Sequence, residues 1–375
     1  MNNLSALENA TLPKIMRSPR IVRLEISSNC NLRCLYCYYF ENSAVDYSNL
    51  PTEQWLQFFV ELGSMAVTDV SLSGGEPFLR PDLTDLIDGI VQNKMRFGIN
   101  SNGTLINDHI AEYIAETHRC NYVQVSIDGS SSEVHDSCRG EGSFVKAVRG
   151  IKTLQRHDVP VVVRVTLHHH NVHDIANIAA FLLDELGLSG FSINSAGYIG
   201  ACRKNADEVL LTRQDRQIAM DDLLNLPQKY ADRITASAGP LYEAKHWPKM
   251  EAARMNHDPA FPKGGHLTAC GCPFNEISVR SDGMIIPCSM LAHMVLGRIN
   301  SDSLQEVWLN NPELNRLRMR RAVPLNEFEF CRGCNYMPYC TGNCPGMAFT
   351  LTGDINQPSP EACLRKFLAE GGSIT

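Results

Sequence analysis

The stretch IVRLEISSNCNLRCLYC, residues 21–37, joins a short run of apolar and β-branched residues to three closely spaced cysteines. The run Ile21–Ser27 predicts a β-strand that ends just before the cysteines. Cys30, Cys34 and Cys37 have a C-x3-C-x2-C spacing, which brings three thiolates around one centre. Thiolate ligation favours zinc or an iron–sulfur cluster, and three protein ligands leave one coordination position open, as a catalytic metal requires. The alternative is a zinc loop whose fourth ligand, such as a histidine, comes from elsewhere in the chain.

The same pattern of a strand followed by a loop repeats along the first half of the chain. Five more β-branched runs, at 67–73, 96–100, 122–127, 161–166 and 191–194, alternate with helical patterns at 52–65, 82–94, 107–117, 143–156 and 173–186. This alternation predicts an α/β fold with a parallel sheet, because right-handed crossovers curl six βα units into a partial (β/α)6 TIM-like barrel or an open twisted sheet. Ligands of such sheets lie at the carboxyl ends of the strands, where this chain places its glycine-rich and polar segments.

The composition and charge of the chain bear on its partners, its location and the chemistry of its cysteines. The 375 residues carry a net charge of −7, and the 34 lysines and arginines form no basic block interleaved with aromatics, which excludes a nucleic-acid partner. The most apolar stretch, 159–167, is broken by Arg164 and is too short to span a membrane, so we expect a cytoplasmic protein without a membrane partner. Fourteen cysteines in a reducing compartment indicate metal or catalytic chemistry and no disulfide framework.

The first cysteine group resembles a known family motif. Cys30, Cys34 and Cys37, with the aromatic Tyr36 before the last cysteine, resemble the cluster motif of the radical S-adenosylmethionine (SAM) superfamily. The resemblance implies a [4Fe–4S] cluster with one iron left free. In that family the amino and carboxylate groups of SAM chelate this iron, and an injected electron breaks the sulfur–carbon bond to give a 5′-deoxyadenosyl radical.

Four shorter segments extend the resemblance. They are similar to the family's GGE, STNG, SIDG and HDxxRG segments, and the candidate cofactor-binding residues, with Tyr36, are Gly74, Gly75, Glu76, Pro77, Ser101, Asn102, Ser126, Asp128 and Arg139. The resemblance implies that Glu76 accepts hydrogen bonds from the SAM amino group and that Ser126 and Arg139 bind the SAM carboxylate. Taken alone, the glycine pair is also compatible with a simple tight turn, and Arg139 with an exposed loop cation.

The C-terminal section contains eight more cysteines, which resemble the SPASM extension of radical SAM enzymes in order and spacing. A Ser281-Asp282-Gly283 turn predicts a hairpin of 276–280 and 284–287 within it, and a helix is predicted at 304–310. The resemblance implies two auxiliary iron–sulfur clusters, one ligated by Cys270, Cys272, Cys288 and Cys344, the other by Cys331, Cys334, Cys340 and Cys363. Cys270 and Cys272 are closer together than in the family, which leaves open that one of them is not a ligand. A pair of zinc knuckles is the alternative for the whole section.

These patterns divide the chain into five parts. We predict an N-terminal extension (1–20), the partial barrel (21–200), a bridging segment (201–267) with helices at 214–226 and 242–255, a cysteine-rich α+β auxiliary-cluster domain (268–367) and a tail (368–375). Cys120, Cys138 and Cys202 are interpreted as small buried hydrophobic residues. The run His168-His169-His170 is interpreted as a polar strand-end loop, without a metal.

The resemblance also implies a class of reaction. Auxiliary clusters suit an oxidative outcome, so we expect modification of a peptide or protein side chain by a crosslink, a thioether or oxidation. Sulfatase maturases of this class have a carboxylate directly after the cysteine that matches Cys288, whereas this chain has Ser289, which argues against sulfatase maturation. The alternatives are oxidation of a tetrapyrrole or another small cofactor precursor, and a zinc-binding scaffold without catalysis.

Expected partners follow from the same reasoning. They are a precursor peptide or protein and a flavodoxin- or ferredoxin-type electron donor. Because only about twenty residues precede the first predicted strand, we expect a separate leader-peptide binding protein or direct docking on the barrel, and no fused winged-helix domain.

Overall fold

The computed structural model describes residues 12–43, 45–258, 264–268 and 270–374; parts of the predicted N-terminal extension, bridging segment and tail lie outside these ranges. The strands, in chain order, are β1 (Ile21–Ser27), β2 (Asp69–Gly74), β3 (Arg96–Ser101), β4 (Cys120–Ser126), β5 (Val161–Leu167), β6 (Phe191–Ser195), β7 (Ile234–Thr235), β8 (Glu276–Val279), β9 (Met284–Ile286) and β10 (Gly297–Arg298).

The helices of six or more residues lie between and after these strands. In chain order they are α1 (Thr52–Ser64), α2 (Leu83–Gln92), α3 (Asp108–Glu116), α4 (Ser132–Arg139), α5 (Ser143–Arg156), α6 (Ile175–Ala180), α7 (Arg213–Asn225), α8 (Pro240–Asn256), α9 (Leu304–Asn310), α10 (Pro312–Met319), α11 (Pro345–Thr352) and α12 (Leu364–Ala369). Four-residue helices at Ala206–Val209, Pro227–Tyr230 and Cys272–Asn275 and short 3-10 turns join them. No helix in the described ranges is both long and apolar enough to cross a membrane.

All described strands belong to one sheet, in the order β10-β9-β8-β1-β2-β3-β4-β5-β6-β7. Strands β1 to β7 are parallel to their neighbours, and β8 is parallel to β1. The predicted α/β fold is therefore confirmed, and each of the six predicted strands forms with bounds shifted by at most two residues. The two-residue β7 was not predicted, because a strand so short carries no period-2 pattern.

The cysteine-rich section shares the barrel sheet. Its predicted hairpin forms as β8 and β9, which pair antiparallel, and β8 pairs with β1 from Ile21↔Glu276 to Leu24↔Val279. The predicted boundary at residue 268 stays a prediction, but the hydrogen-bonded sheet continues across it. As a consequence, the residues that follow β9 lie close to the lumen of the barrel.

Side chains alternate between two faces of the sheet, as the period of a strand requires. On β1, Val22, Leu24 and Ile26 are fully buried against the helices and belong to the main hydrophobic core. Arg23 and Glu25 therefore point to the opposite face, which is the barrel lumen. Helix α1 covers the helical side of the sheet with four fully buried apolar side chains, including Trp55 and Phe58.

Two helices of the barrel differ from the prediction, and α10, α11 and α12 of the cysteine-rich section were not predicted. The pattern at 173–186 forms a 3-10 turn, then α6, then a π-helical turn Phe181–Glu185, in which the Leu186 N–H bonds to the Phe181 carbonyl. Helix α4 was not predicted, because its eight residues are mostly polar and lack a continuous apolar stripe.

Buried arginines hold the irregular C-terminal section. The Arg318 guanidinium is fully buried and donates to the carbonyls of Pro273 and Trp308, at 2.7 and 2.6 Å. Arg320 is equally buried and donates to four carbonyls, among them those of Ile355 and Gln357. Because loops lack a ladder of main-chain hydrogen bonds, these multi-donor side chains satisfy their carbonyl oxygens.

Candidate active site

The first three cysteines lie in the loop that follows β1. Their thiols are close enough to affect one another: burial raises the pKa of Cys34 to about 12, the charge of Arg139 opposes that shift, and Cys37 and Cys30 add to it. The Cys30 sulfur accepts from the Leu32 N–H at 3.4 Å and from the Asn102 amide at 3.7 Å. Three mutually close, largely buried thiols are thus held in one loop, and binding a metal there would release their protons.

The glycine pair at the end of β2 lets this loop approach the sheet. A side chain on Gly75 would place its Cβ 2.2 Å from the Asn29 carbonyl oxygen, and one on Gly74, whose φ is +120°, would lie 2.3 Å from the Ser27 carbonyl oxygen. The Gly75 and Glu76 N–H groups donate to these same two carbonyls, at 2.7 and 2.8 Å. The pair therefore fixes the backbone just before Cys30, which a simple exposed turn does not do.

Glu76 links the ends of β2 and β3. Its fully buried carboxylate accepts from the Ser101 hydroxyl at 2.9 Å, the Asn102 N–H at 2.8 Å and the Phe78 N–H at 3.1 Å. Burial raises the pKa of Glu76 to about 7 in spite of these three donors. The carboxylate thus orients Asn102 toward Cys30, and its contact with the SAM amino group stays a prediction. Pro77 is buried and starts the 3-10 turn that follows.

Asp128 is the centre of a buried polar cluster after β4. Its carboxylate accepts from Arg139 Nε at 2.5 Å, from the Thr166 N–H at 2.7 Å and from the Tyr36 hydroxyl. Burial opposes ionisation, but the charge of Arg139 and two nearby histidines hold the pKa of Asp128 below its usual value. Arg139 is only 8% exposed, so the interpretation as an exposed loop cation is wrong.

The same cluster connects Arg139 to the cysteine loop. Its guanidinium carbon lies 5.4 Å from the centre of the Tyr36 ring, and Nη1 lies 3.9 Å from the Cys34 sulfur. Asp128 uses Nε, so Nη1 of Arg139 remains directed to the cysteine side. A cation held beside the thiols is a suitable partner for an anionic group of a ligand bound there.

Ser126 and His168 complete the surroundings. Ser126, the last residue of β4, is in register with Arg164 of β5, and its side-chain hydroxyl forms no hydrogen bond with another described residue. The His168 ring stacks on Tyr36 with 5.3 Å between centroids, and its Nε2 has no hydrogen-bond partner in the described part of the chain. His169 and His170 face Asp215 and Glu208 separately, so the three histidines do not form one ligand set.

The C-terminal cysteines form two groups. In the first, the sulfurs of Cys270 and Cys272 are 3.9 Å apart, the pKa of Cys272 is raised in part by Cys288, and that of Cys344 is raised by burial and by Cys270. These four residues are the set that the family resemblance implies for the first auxiliary cluster. Cys270 and Cys272 both belong to the group, although one residue separates them.

The second group brings together the remaining four thiols. Burial raises the pKa of Cys331 to about 12, and the charges of Cys340, Cys363 and Cys334 add to the shift. Burial also raises the pKa of Cys363, to which Cys334 adds. Residues 32 positions apart, at 331 and 363, thus lie in one group. Cys120, Cys138 and Cys202 lie outside both, half-buried or buried.

The donor chemistry fits iron–sulfur clusters. Each of the three groups offers thiols alone, which is the ligand type of such clusters. Within the described ranges, no three Cys, His, Asp or Glu side chains converge as the ligands of one metal ion do. Three thiols at the barrel loop and four in each C-terminal group suit a [4Fe–4S] cluster with an open position and two auxiliary clusters.

The first auxiliary group borders the lumen. Ser289, directly after Cys288, donates its hydroxyl to Glu25 Oε1 at 2.6 Å. Glu25 is 3% exposed, and burial raises its pKa to about 7. A carboxylate therefore does lie beside the residue after Cys288, but it comes from β1. Sequence reasoning missed Glu25, because a contact between residues 264 positions apart leaves no local pattern.

Comparison with known proteins agrees with this arrangement. The sequence model of the Radical SAM superfamily matches residues 24–182, and that of SPASM, an iron–sulfur cluster-binding domain, matches residues 270–335. The chain belongs to the radical SAM superfamily. It is an enzyme that uses a [4Fe–4S] cluster and SAM and binds auxiliary iron–sulfur clusters in its SPASM domain.

Relatives of this enzyme act on different substrates, according to their names. It is 28% identical to an AdoMet-dependent heme synthase of Methanosarcina barkeri over 93% of this chain and 97% of that enzyme. It is also 28% identical to the mycofactocin maturase MftC of Mycobacterium ulcerans over 92% and 88% of the two chains. Its fold matches that of Streptococcus suis SuiB bound to its precursor peptide SuiA with a TM-score of 0.71 at 17% identity, covering 93% and 77%.

Proposed function

We propose that this enzyme oxidatively modifies a peptide or protein side chain. The observation that carries the proposal is the contact between Ser289 and Glu25, which joins the segment after Cys288 to the barrel lumen. A substrate in the lumen would lie between the SAM site and the first auxiliary thiol group, which could accept its electron. The fold shared with a peptide-bound SuiB and the similarity to a mycofactocin maturase support a peptide substrate.

The residues of this chain would divide the work as follows. Cys30, Cys34 and Cys37 would hold the SAM-binding cluster, which supplies a radical that abstracts a hydrogen atom from the substrate. Asn102 would orient Cys30 by its 3.7 Å hydrogen bond. Arg139, fixed by Asp128, would bind the SAM carboxylate together with Ser126.

Glu25 is suited to take the proton that an oxidised substrate loses. Loss of a hydrogen atom, then of one electron to an auxiliary cluster and of one proton, removes two hydrogens in total. A carboxylate with a pKa of about 7 can accept that proton at neutral pH and release it again. The Ser289 hydroxyl holds this carboxylate in place, so the missing carboxylate after Cys288 does not leave the site without a base.

Oxidation of a tetrapyrrole is the second candidate. It is favoured by the heme synthase similarity and by a further relative of 28% identity, an Fe-coproporphyrin III synthase of the same organism, with 92% of this chain covered. Both substrate classes need the same radical chemistry and the same auxiliary clusters. A flavodoxin- or ferredoxin-type donor would supply the electron, and a separate leader-peptide binding protein would present a peptide.

The proposal is tested with anaerobically purified and reconstituted enzyme. Cys34→Ala removes one thiol of the open site, so we expect no 5′-deoxyadenosine from SAM under reducing conditions. Cys120→Ala is the matched control, since Cys120 is half-buried at the start of β4, at the opposite end of the strand from the site. Equal 5′-deoxyadenosine formation by the two variants would contradict the assignment.

The substrate class is tested by mass spectrometry. A short peptide encoded beside the enzyme is co-expressed with it, and Fe-coproporphyrin III is supplied in a parallel reaction. We expect a loss of two hydrogens from the peptide and an unchanged porphyrin. An unchanged peptide beside an altered porphyrin would favour the second candidate.

A further inference from the structure

Arg164 lies in the middle of β5 and faces the lumen. Its neighbours Val163 and Val165 are fully buried in the core on the helical side of the sheet. Because successive side chains of a strand alternate, Arg164 projects from the opposite face, and its side chain is exposed there. A charged residue at the centre of a barrel strand is unusual, since such strands in parallel sheets are mostly apolar.

Among the residues that the structure describes, no carboxylate pairs with the guanidinium of Arg164. It makes no hydrogen bond, ion pair or ring contact with any other described residue. Arg23, which faces the same lumen, is paired with Glu276, with Nε and Oε2 2.5 Å apart. The strand that carries Arg164 thus offers a group with five N–H donors and no acceptor within the described chain.

Two guanidinium groups, those of Arg23 and Arg164, face the lumen together with the Glu25 carboxylate, which accepts a hydrogen bond from Ser289. Burial lowers the pKa of Arg164 and the positive charge of Arg23 lowers it further, whereas Tyr122 and Tyr38 act in the opposite direction. The Glu276 carboxylate is already shared with Arg23. Two guanidinium groups close enough to repel each other favour an anion between or beside them.

We propose that Arg164 binds a carboxylate of the substrate, which places the substrate of this enzyme among carboxylate-bearing molecules. This inference rests on the proposed function, because it assumes that the lumen holds the substrate. A planar guanidinium matches a carboxylate with two parallel hydrogen bonds, so it fixes orientation as well as position. An acidic side chain or carboxyl terminus of a peptide has this group, and so does a porphyrin with propionate arms.

The register of the sheet relates this carboxylate to the reaction centre. Arg164 is paired in register with Ser126, the predicted contact of the SAM carboxylate. The bound substrate carboxylate would therefore lie one strand from the SAM site, and the carbon that loses hydrogen would be a near neighbour of it. The SAM carboxylate itself has Arg139 as its predicted cation, on a different element.

Protection from an arginine reagent tests the proposal without requiring turnover. The holoenzyme is treated anaerobically with phenylglyoxal, and modification of Arg164 is followed by peptide mass mapping. Arg149, which is exposed on α5, serves as the reference in the same digest. Glutarate is the carboxylate probe, and glutaramide with sodium chloride at matched ionic strength is its neutral control.

We expect glutarate to slow the modification of Arg164 by about tenfold, as a charge-assisted hydrogen bond of ordinary strength would, and to leave Arg149 unchanged. Equal rates with glutarate and glutaramide would overturn the proposal. Protection by SAM alone would also overturn it, because Arg164 would then be a SAM contact. 5′-Deoxyadenosine formation from SAM is measured on the same preparation before the reagent is added. If the untreated enzyme forms none, the proposed function is refuted, whatever the result at Arg164.

Two larger probes distinguish the sources of the carboxylate. A blocked peptide with one glutamate is compared with the same peptide carrying glutamine, and Fe-coproporphyrin III is used at the same carboxylate concentration. Stronger protection by the glutamate peptide would support a peptide carboxylate, and stronger protection by the porphyrin a propionate. As a second variant, Arg164→Lys should retain part of the substrate affinity that Arg164→Gln loses. Equal substrate affinity in Arg164→Gln and the unmodified enzyme would contradict the inference.

Discussion

Replacing Asp128 by asparagine removes one charge at the centre of the buried cluster and almost no volume. The carboxylate is fully buried, and its partner Arg139 is 8% exposed. Breaking a buried ion pair by neutralising one member costs about 3–5 kcal/mol, because the other charge stays buried without compensation. Two of the three donors, Arg139 Nε and the Tyr36 hydroxyl, share one carboxylate oxygen. An asparagine must therefore turn its NH2 group toward at least one donor.

We expect Asp128→Asn to lower the stability of the enzyme by about that amount and to weaken SAM binding by about tenfold or more, since Arg139 loses the group that orients it. The assays are anaerobic urea unfolding, followed by tryptophan fluorescence, and equilibrium SAM binding. Asp108→Asn is the control, because Asp108 is 67% exposed and its pair with Arg156 is at the surface. An unfolding midpoint of Asp128→Asn equal to that of the control would refute the view that Asp128 holds Arg139.

Three further predictions concern other parts of the site. Gly75→Ala should abolish reconstitution of the SAM-binding cluster, because the new Cβ would lie 2.2 Å from a backbone oxygen. Gly197→Ala is the control, since its Cβ would meet only the end of a methionine side chain at 3.4 Å. Iron analysis of the two variants tests this prediction. Burial in the folded enzyme raises the pKa of Glu25 to about 7. The protonated carboxyl therefore stabilises the folded state at low pH, and this stabilisation is lost as the pH rises through 7. Between pH 6 and 8 the free energy of unfolding of the enzyme should fall by about 1 kcal/mol more than that of Glu25→Gln. Cys331→Ser should reduce the iron content from about twelve to about eight per chain with SAM cleavage retained, and retention of all iron would contradict the second thiol group.

The sequence was informative where physical constraints are local. Strands of five to seven residues alternate with amphipathic helices, so the period of hydrophobicity located β1 to β6 within two residues. The C-x3-C-x2-C loop likewise brings its thiols together by spacing alone. The auxiliary groups could be assigned only by resemblance, because Cys288 and Cys344, or Cys331 and Cys363, are distant in sequence.

What the sequence did not reveal depends on contacts between distant segments. Helix α4 is short and polar, yet it is required because it carries Arg139 to the buried carboxylate of Asp128. Arg318 and Arg320 resemble ordinary surface cations in the sequence, and only the fold shows that they serve the carbonyls of irregular loops. Tertiary context decides such cases, since neither residue type nor period records it.

The parallel pairing of β8 with β1 connects these observations to the chemistry. The pairing sets Glu276 level with Ile21, and the hairpin then returns the chain along β9 toward Cys288. Ser289 consequently reaches Glu25, whose side chain points into the lumen by the alternation of β1. Had β8 been shifted by one residue, its side chains would exchange faces, and Arg23 would lose the partner it has in Glu276. The register of this one strand pair therefore determines which arginine of the lumen is paired with a carboxylate. It also determines where the auxiliary thiol group borders the lumen. Arg164 is left as a lumen cation that has no hydrogen-bond acceptor among the described residues.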